Sequence, residues 1–441
     1  MLCCALGAVV AGARRRSIVS IALSAALTVG RALIGIVAGT AVLTTSFFAD
    51  SGAWTRALAV TALVGVFLWL TTLIASYRRR RLLLSSWLRL THWEYWPPYI
   101  TYIPVAVYII WLMWKHRSVT VFTAVNPAMP AGGFIGEAKI EILRGLGASS
   151  KFVAQSGLIA GELETSAKVT RATSFMQSAE LDLPVVLKPN HGQRGSGVVV
   201  ARTWDELTAY LEQSRVDTVI QEYVPGLEFG VFYCRKPSEF RGRVLSITEK
   251  QLPAVTGDGR STLEQLILHD RRTLGMARFH LGRHGAALDR VPAAERRVSL
   301  GDCGSHCRGA TFLDGRALLT PALERTFDRI ATAYEGFYFG RFDVRVSSKE
   351  AFAQGRGFRI IELNGVTSEA THIYDPKVSV IEAYRALFEQ WRVAFEIGAE
   401  NTAGGAASTS IGQLLRSLLD YREESKSHLV AAMDSSAQRV N

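Results

Sequence analysis

Cysteine is scarce in this chain of 441 residues, and what the sequence lacks excludes several classes of protein. Five cysteines, scattered along the chain, are too few for a disulfide framework. Cys303, His306 and Cys307 suggest a metal, but a structural zinc site needs four ligands, and no second pair with suitable spacing follows. The sequence also lacks internal repeats and a lysine-rich face with interleaved aromatic residues, so we expect no nucleic-acid partner.

Basic residues outnumber acidic ones, which gives a net charge of +11 and an isoelectric point near 9.5. This balance favours an anionic partner, such as a nucleotide, a nucleic acid or an acidic lipid surface. Part of the basic excess flanks apolar segments. We therefore expect this chain to contact a membrane surface and a nucleotide.

Two long apolar segments lie near the N-terminus. Residues 17–48 and 55–76 each exceed the roughly 20 residues with which a helix crosses a bilayer. Basic clusters precede the first segment and follow the second, and the positive-inside rule places both in the cytoplasm. Residues 1–92 are therefore predicted to form a transmembrane helical hairpin, with the catalytic domain in the cytoplasm. Gly35 and Gly39 form a small-xxx-small pair that would support helix pairing in a homodimer.

A segment rich in tryptophan and tyrosine follows, over residues 93–118. Its apolar part is near the lower length limit for a membrane span. A full crossing would leave one of the flanking basic clusters on the wrong side of the membrane. We therefore predict an interfacial or re-entrant segment, and a third spanning helix remains the alternative.

From residue 119 the composition is that of a domain with both strands and helices, predicted to extend to residue 400. A linker and a tail helix would follow over 401–441. The most informative segment is PVVLKPNHGQRGSGVVVA, in which the β-branched run after Gly197 predicts a strand. A P-loop or a dinucleotide fold would place a helix there. The glycine loop therefore belongs to a hairpin that closes over phosphates as a flap, and Lys188 at the end of its first strand would reach them.

Two later segments, GRFDVRV and FRIIELN, alternate polar and apolar residues with the period of a strand. Asp343 projects from one face of the first strand, and Glu362 and Asn364 share a face of the second. Ile361 and Leu363 are assigned to the opposite, core-facing side. Neighbouring strands would aim the three polar side chains at one point. Two carboxylates and an amide oxygen suit Mg²⁺, whereas the plainer alternative is a polar sheet face open to water.

Together with VIQEYVPGLEFGV and ITEK, these segments occur in an order that resembles the ATP-grasp superfamily. The resemblance covers roughly residues 135–395, and it is to carboxylate–amine ligases such as D-alanine–D-alanine ligase, glutathione synthetase and cyanophycin synthetase. It implies an α+β ATP-grasp fold, which the transmembrane hairpin and the interfacial aromatic segment would precede. It also implies ATP and two Mg²⁺ ions as cofactors.

The resemblance assigns a role to each residue of these motifs. The ATP phosphates would be bound by lysines and by the glycine loop: Lys139, Lys188, Lys250, Gly192, Arg194, Gly195, Ser196 and Gly197. Adenine and ribose would be held by Glu222, Tyr223, Val224 and Glu228. Magnesium would be held by Asp343, Glu362 and Asn364. The catalytic residues would be Lys250, Arg341 and Arg308.

The activity that the resemblance implies is ligation of a carboxylate to an amine or thiol through an acyl phosphate. The family usually carries a substrate-binding domain ahead of Lys139, and little chain separates the aromatic segment from that lysine here. The substrate is therefore not carried over. We expect a membrane-anchored ligase that acts on a lipid-linked or cell-envelope precursor. The alternatives are a kinase-like phosphotransferase and a nucleotide-binding membrane sensor without turnover.

Overall fold

The computed structural model describes residues 51–192, 197–301 and 309–420. These residues divide into two compact units. The first unit contains the described residues up to Thr91 together with Asp258–Ala293. The second contains His92–Gly257 and the described residues from Ala294 onward. The predicted ATP-grasp domain, 119–400, thus includes a stretch that belongs to the first unit.

Helices form the first unit, and both helices and strands form the second. In chain order the α-helices are α1 (Ser51–Ala75), α2 (Tyr77–Thr91), α3 (Pro98–Thr101), α4 (Ile103–Lys115), α5 (Lys139–Gly145), α6 (Thr165–Ser178), α7 (Trp204–Gln213), α8 (Leu263–His269), α9 (Arg271–Gly275), α10 (Ala277–Arg283), α11 (Pro321–Thr332), α12 (Lys349–Ala353) and α13 (Val380–Ala403). The β-strands are β1 (Ser156–Ile159), β2 (Val185–Pro189), β3 (Val199–Ala201), β4 (Thr218–Glu222), β5 (Leu227–Cys234), β6 (Arg243–Gln251), β7 (Ala254–Thr256), β8 (Arg297–Ser299), β9 (Thr311–Asp314), β10 (Phe339–Val346) and β11 (Phe358–Asn364).

The prediction of a multi-pass membrane protein is wrong. Among the described residues, no helix combines the length and the apolar character needed to cross a bilayer. The second predicted span, 55–76, coincides with α1, whereas the first, 17–48, lies outside the described residues, as do Gly35 and Gly39. Part of the basic cluster that guided the orientation contacts α8 instead. Arg81 donates to the carbonyl groups of Leu268 and His269 at the end of that helix, where a cation is favoured.

The aromatic segment 93–118 belongs to the second unit, and its interfacial or re-entrant role stays a prediction. Its longest helix, α4, has 13 residues, which is about 20 Å at 1.5 Å per residue. One side of α4 is buried against α13, where Tyr108 contacts Phe388 with ring centroids 4.6 Å apart. Trp93 stacks on Tyr374 at 5.4 Å. Part of the aromatic content therefore contributes to packing within this unit, whereas Tyr99, Trp111 and Trp114 are exposed.

A four-stranded antiparallel sheet in the order β1-β4-β2-β3 carries the glycine loop. Its apolar face packs on α6 and α7, and Leu187, Leu207 and Ile220 are fully buried there. The strand pair β2–β3 is in register at Leu187 and Val199. The predicted hairpin, with a strand rather than a helix after the glycines, is confirmed.

A five-stranded antiparallel sheet in the order β11-β10-β5-β6-β9 forms the larger core. In the pair β10–β11, Asp343 lies opposite Glu362, but Val344 lies opposite Ile360. Ile361 is therefore the extra residue of a β-bulge. As a result Ile360, fully buried, joins the core beside Leu363, and the prediction that placed Ile361 there is wrong.

The segment VTVFTAV (119–125) has the composition of a strand and is predicted to be one, but Val121–Ala124 forms a buried 3-10 turn instead. Close packing under α13 explains the difference. A Cβ atom at Gly398 would lie 2.2 Å from the carbonyl oxygen of Val121. Asn401 donates to the carbonyl groups of Ala124 and Val125 at 2.9 and 3.2 Å. Here tertiary contacts overrule the β propensity of the sequence.

Candidate functional site

A chain of buried ion pairs crosses the middle of the five-stranded sheet. Lys250 on β6 lies between Glu228 on β5, at 3.1 Å, and Asp343 on β10, at 3.0 Å. Strand register produces this contact, because Glu228 is the partner of Lys250 and Gly230 is the partner of Asp343. The missing side chain at Gly230 leaves room above the strand, since a Cβ atom there would lie 3.3 Å from Asp343 Oδ1.

Two arginines extend the same chain of charges. Arg341 contacts both carboxylate oxygens of Asp343, with distances of 2.8 Å from Nε and 3.2 Å from Nη2. Arg345 contacts the second oxygen of Glu228 at 3.0 Å. Burial alone would raise the pKa of Asp343, but Arg341 and Lys250 outweigh it and hold that pKa well below its usual range. Burial disfavours the charge on Lys250, but the carboxylates of Asp343 and Glu228 raise its pKa.

Asp343, Glu362 and Asn364, the three predicted metal ligands, lie together on β10 and β11. Asn364 Nδ2 is 3.5 Å from Asp343 Oδ2. Glu362 is directly opposite Asp343 in the sheet. The oxygen-rich donor set fits Mg²⁺, which is commonly bound by one or two carboxylates and by substrate phosphates. The described residues contain no cluster of three or more His, Cys, Asp or Glu side chains suited to a metal, so phosphate and water oxygens would have to complete the coordination.

Two of the predicted phosphate-binding lysines lie near Glu362: Lys188 on the four-stranded sheet and Lys139 on α5. Lys188 on β2 donates to Gln221 Oε1 at 2.9 Å and to the carbonyl of Ile361, the bulge residue, at 3.0 Å. Burial lowers the pKa of Lys188 to about 8, against the opposing effect of Glu362. Lys139, at the start of α5, donates to the carbonyl of Gly192. Burial also lowers the pKa of Lys139, while Glu362 raises it.

The structure describes the glycine loop only at its two ends, and Arg308, a predicted catalytic residue, lies outside the described residues. Gly192 and Gly197 have φ of 145° and 70°, which favour glycine. Tyr210 donates to the carbonyl of Gly197 at 2.9 Å. Three loop residues and one predicted catalytic residue lie outside the described residues, as does the cysteine–histidine cluster that first suggested a metal: Arg194, Gly195, Ser196, Arg308, Cys303, His306 and Cys307.

The predicted adenine-binding segment follows β4. Glu222, at the end of that strand, accepts a hydrogen bond from the backbone N–H of Gln155 at 3.1 Å, so one of its oxygens helps to join β4 to the start of β1. Tyr223 and Val224 come next and are half-buried. The structure thus places the segment directly after β4, an inner strand of the four-stranded sheet.

Sequence reasoning missed three polar residues that line this region. Glu137, two residues before Lys139, accepts the backbone N–H of Gly365 at 3.2 Å, and burial raises its pKa to about 7. Gln221 holds Lys188. Glu369 accepts hydrogen bonds from two tyrosines. For Glu137 and Gln221 a signal existed, because each lies beside a motif residue in the sequence, whereas nothing local pointed to Glu369.

A family model matches part of this site. The model of the RimK-like ATP-grasp domain matches residues 147–228, a range that includes Lys188 and all strands of the four-stranded sheet. No curated protein is significantly similar to the sequence. The match supports the ATP-grasp fold and a ligase-like enzyme that binds ATP.

Several solved structures are similar to this chain at low identity. A bifunctional glutathione synthetase from Pasteurella multocida has a TM-score of 0.35 and 17% identity, covering 58% of this chain and 37% of that one. VanG D-Ala:D-Ser ligase from Enterococcus faecalis has a TM-score of 0.33 and 13% identity, and the match covers 58% of this chain and 61% of that one. D-alanine–D-alanine ligase from Bacillus anthracis has a TM-score of 0.37 and 16% identity, and the match covers 63% of this chain and 72% of that one. This chain thus covers less than two thirds of the first two, and the assignment of the fold rests on the family model.

Proposed function

We infer that this chain is an ATP-dependent ligase that joins a carboxylate to an amine or thiol through an acyl phosphate. The observation that carries the proposal is the convergence of cations and oxygen donors from two sheets. Lys188 comes from the four-stranded sheet, and Lys250 and Arg341 come from the five-stranded one. They surround the pair formed by Asp343 and Glu362.

Each group has a role in such a reaction. Lys139 and Lys188 would hold the phosphates beneath the glycine loop, and the segment Glu222–Val224 would hold adenine. Glu228 would bind ribose hydroxyls, and its carboxylate is paired with Lys250 and Arg345. Nucleotide binding would therefore exchange some of these ion pairs for contacts with ATP.

Asp343, Glu362 and Asn364 would hold Mg²⁺, which neutralises phosphate charge when it is bound. The chain itself supplies orientation and fixed positive charge, which are the main contributions of a protein to phosphoryl transfer. Arg341 is held at both carboxylate oxygens of Asp343, and in this proposal its guanidinium would steady the reacting carboxyl group. The glycine loop would exclude water, which otherwise hydrolyses an acyl phosphate.

The test uses the purified full chain with Mg-ATP, hydroxylamine and each standard amino acid as the acid. We expect ATP-dependent hydroxamate and an equal amount of ADP with at least one acid, because hydroxylamine captures an acyl phosphate. Asp343→Asn should lower this activity by about 100-fold or more, the scale seen when one preorganised electrostatic contact is lost. A phosphorylated product in place of the hydroxamate would identify a phosphotransferase. Full activity in Asp343→Asn would refute the site.

A further inference from the structure

Glu369 is a half-buried carboxylate that none of the roles above uses. Tyr102 donates its hydroxyl to Oε1, and Tyr374 donates to Oε2 at 3.2 Å. Within the described part of the chain, neither a lysine nor an arginine forms an ion pair with this carboxylate. A carboxylate that is partly withdrawn from water, and whose side-chain partners among the described residues are hydroxyl groups, is costly to keep charged. Such a group is suited to receive a cation that comes from solution.

The backbone fixes Glu369 beside the reacting groups. Gln390 on α13 accepts the N–H of Ala370 at 3.1 Å and donates to the carbonyl of Ser368. The carbonyl of Glu369 itself accepts a hydrogen bond from Arg341 Nη1 at 3.1 Å. The same guanidinium holds Asp343 through Nε and Nη2. Residue 369 is therefore separated from the predicted metal site by one arginine side chain.

Burial raises the pKa of Glu369 to about 7, and the hydrogen bond from Tyr374 lowers it in part. Among the described residues, Tyr102, which precedes α4, and Tyr374 donate to this carboxylate, and Arg341 on β10 contacts the backbone carbonyl of the same residue. Gln390, the contact from α13, is neutral. The group can therefore take up and release a proton near neutral pH.

We propose that Glu369 binds the ammonium group of the acceptor substrate and removes its proton. This inference rests on the proposed ligase function and adds the class of acceptor, a primary amine that is protonated in solution. The carboxylate takes one proton from R–NH₃⁺ and leaves R–NH₂. The nitrogen lone pair then forms the C–N bond at the acyl carbon while the C–O bond to phosphate breaks. The second amine proton leaves with phosphate, and Glu369 returns its own proton to water.

The test compares two nucleophiles in the full chain. Hydroxylamine is unprotonated at neutral pH and needs no base, whereas ammonia, amino acids and diamines are protonated. With the acid that gives most hydroxamate, Glu369→Gln should form hydroxamate within about twofold of the parent chain. Its amide formation should fall about 100-fold, at the lower end of what a general base contributes.

Tyr374→Phe provides a second variant that keeps the ring stacked on Trp93 and removes only the hydroxyl. Because that hydroxyl lowers the pKa of Glu369, its loss should move the acidic limb of kcat/KM for amide formation to higher pH. The pH profile for hydroxamate formation should stay where it is. A residue with a merely structural role would not separate the two profiles.

Three outcomes overturn the inference. Equal losses of hydroxamate and amide in Glu369→Gln would make the residue structural, and unchanged rates of both would make it irrelevant. Hydroxamate formation by the parent chain with no amide from any protonated amine would exclude an ammonium site. If the parent chain forms no hydroxamate with any acid, the ligase proposal itself fails, and this result is distinct from the other three.

Discussion

Lys188 is a buried cation held by two neutral acceptors. Gln221 Oε1 and the carbonyl of Ile361 receive its hydrogen bonds, and Gln221 is itself oriented because its Nε2 donates to Ser156 Oγ at 2.9 Å. Burial in this environment lowers the pKa of Lys188 to about 8. The side chain of Lys188 is thus charged at neutral pH and loses its charge as the pH rises through about 8.

The affinity for Mg-ATP should therefore fall as the pH rises through about 8. The sign follows from the lowered pKa, because the ammonium that attracts phosphate exists only below it. Lys188→Arg should abolish this dependence, since a guanidinium stays charged. Gln221→Glu should move it to higher pH, because an added carboxylate favours the charged amine. Calorimetric titration of nucleotide on both sides of this pH measures the effect, and a flat profile in the parent chain would contradict it.

At the same scale, the strand period placed Asp343, Glu362 and Asn364 on the correct faces. The bulge at Ile361 was not predictable, because a period of two assumes an uninterrupted ladder. Its consequence extends to the candidate site, since the bulged carbonyl is an acceptor for Lys188. Metal and nucleotide binding by these residues stays a prediction.

Among the elements, the strands that carry motifs were predicted well. Each combines β-branched residues with a clear alternation, so local preference and tertiary position agree. The short strands β1, β7, β8 and β9 have three or four residues and were not predicted, because each gives too little pattern to detect. The segment 119–125 has strand-like composition but packs as a turn, and 93–118 was interpreted as membrane-associated for its aromatic content. Packing on α13 was the missing information for 119–125, whereas the interpretation of 93–118 stays a prediction.

A close approach between two elements gives a prediction at this scale. A Cβ atom at Gly365, directly after β11, would lie 2.6 Å from the carbonyl oxygen of Gly132 and 2.6 Å from Cα of Gly133. Gly365→Ala should therefore destabilise the chain by about 1–3 kcal/mol, the usual cost of overpacking. Gly147→Ala is the matched control, because a Cβ atom there meets nothing within 4 Å. Thermal unfolding of both variants measures the difference. Equal unfolding midpoints for the two variants would show that the backbone at 132–133 moves away from the added Cβ atom without a loss of stability.

On the scale of the whole molecule, the chain forms two units with interleaved sequence. The segment Asp258–Ala293 leaves the second unit between β7 and β8 and returns to it. The points of exit and return are close, because Gly257 and Glu295 share a backbone hydrogen bond of 2.9 Å. The second unit therefore retains a continuous strand pair across the excursion.

This arrangement predicts that the second unit folds and binds nucleotide by itself. A variant that begins at His92 and replaces Asp258–Ala293 by a short glycine–serine turn should bind Mg-ATP within about threefold of the full chain, less than the tenfold that 1.4 kcal/mol represents. Cooperative thermal unfolding would verify its fold. An aggregated or non-binding product would show that the first unit is required for the stability of the second.

The sequence by itself determined which residues could meet phosphate and metal, because strand periodicity and glycine placement are local properties of the chain. It also determined the glycine hairpin, and the family model over 147–228 agrees with the fold that was predicted from it. Only the tertiary structure decided which groups neutralise one another, how the bulge at Ile361 reaches Lys188, and that Tyr102 and Tyr374 enclose Glu369. These contacts join residues far apart in the sequence, and hydrophobicity and spacing carry no record of such pairings. For the same reason, the apolar pattern of residues 55–76 could not by itself distinguish a membrane span from the helix α1 of the structure.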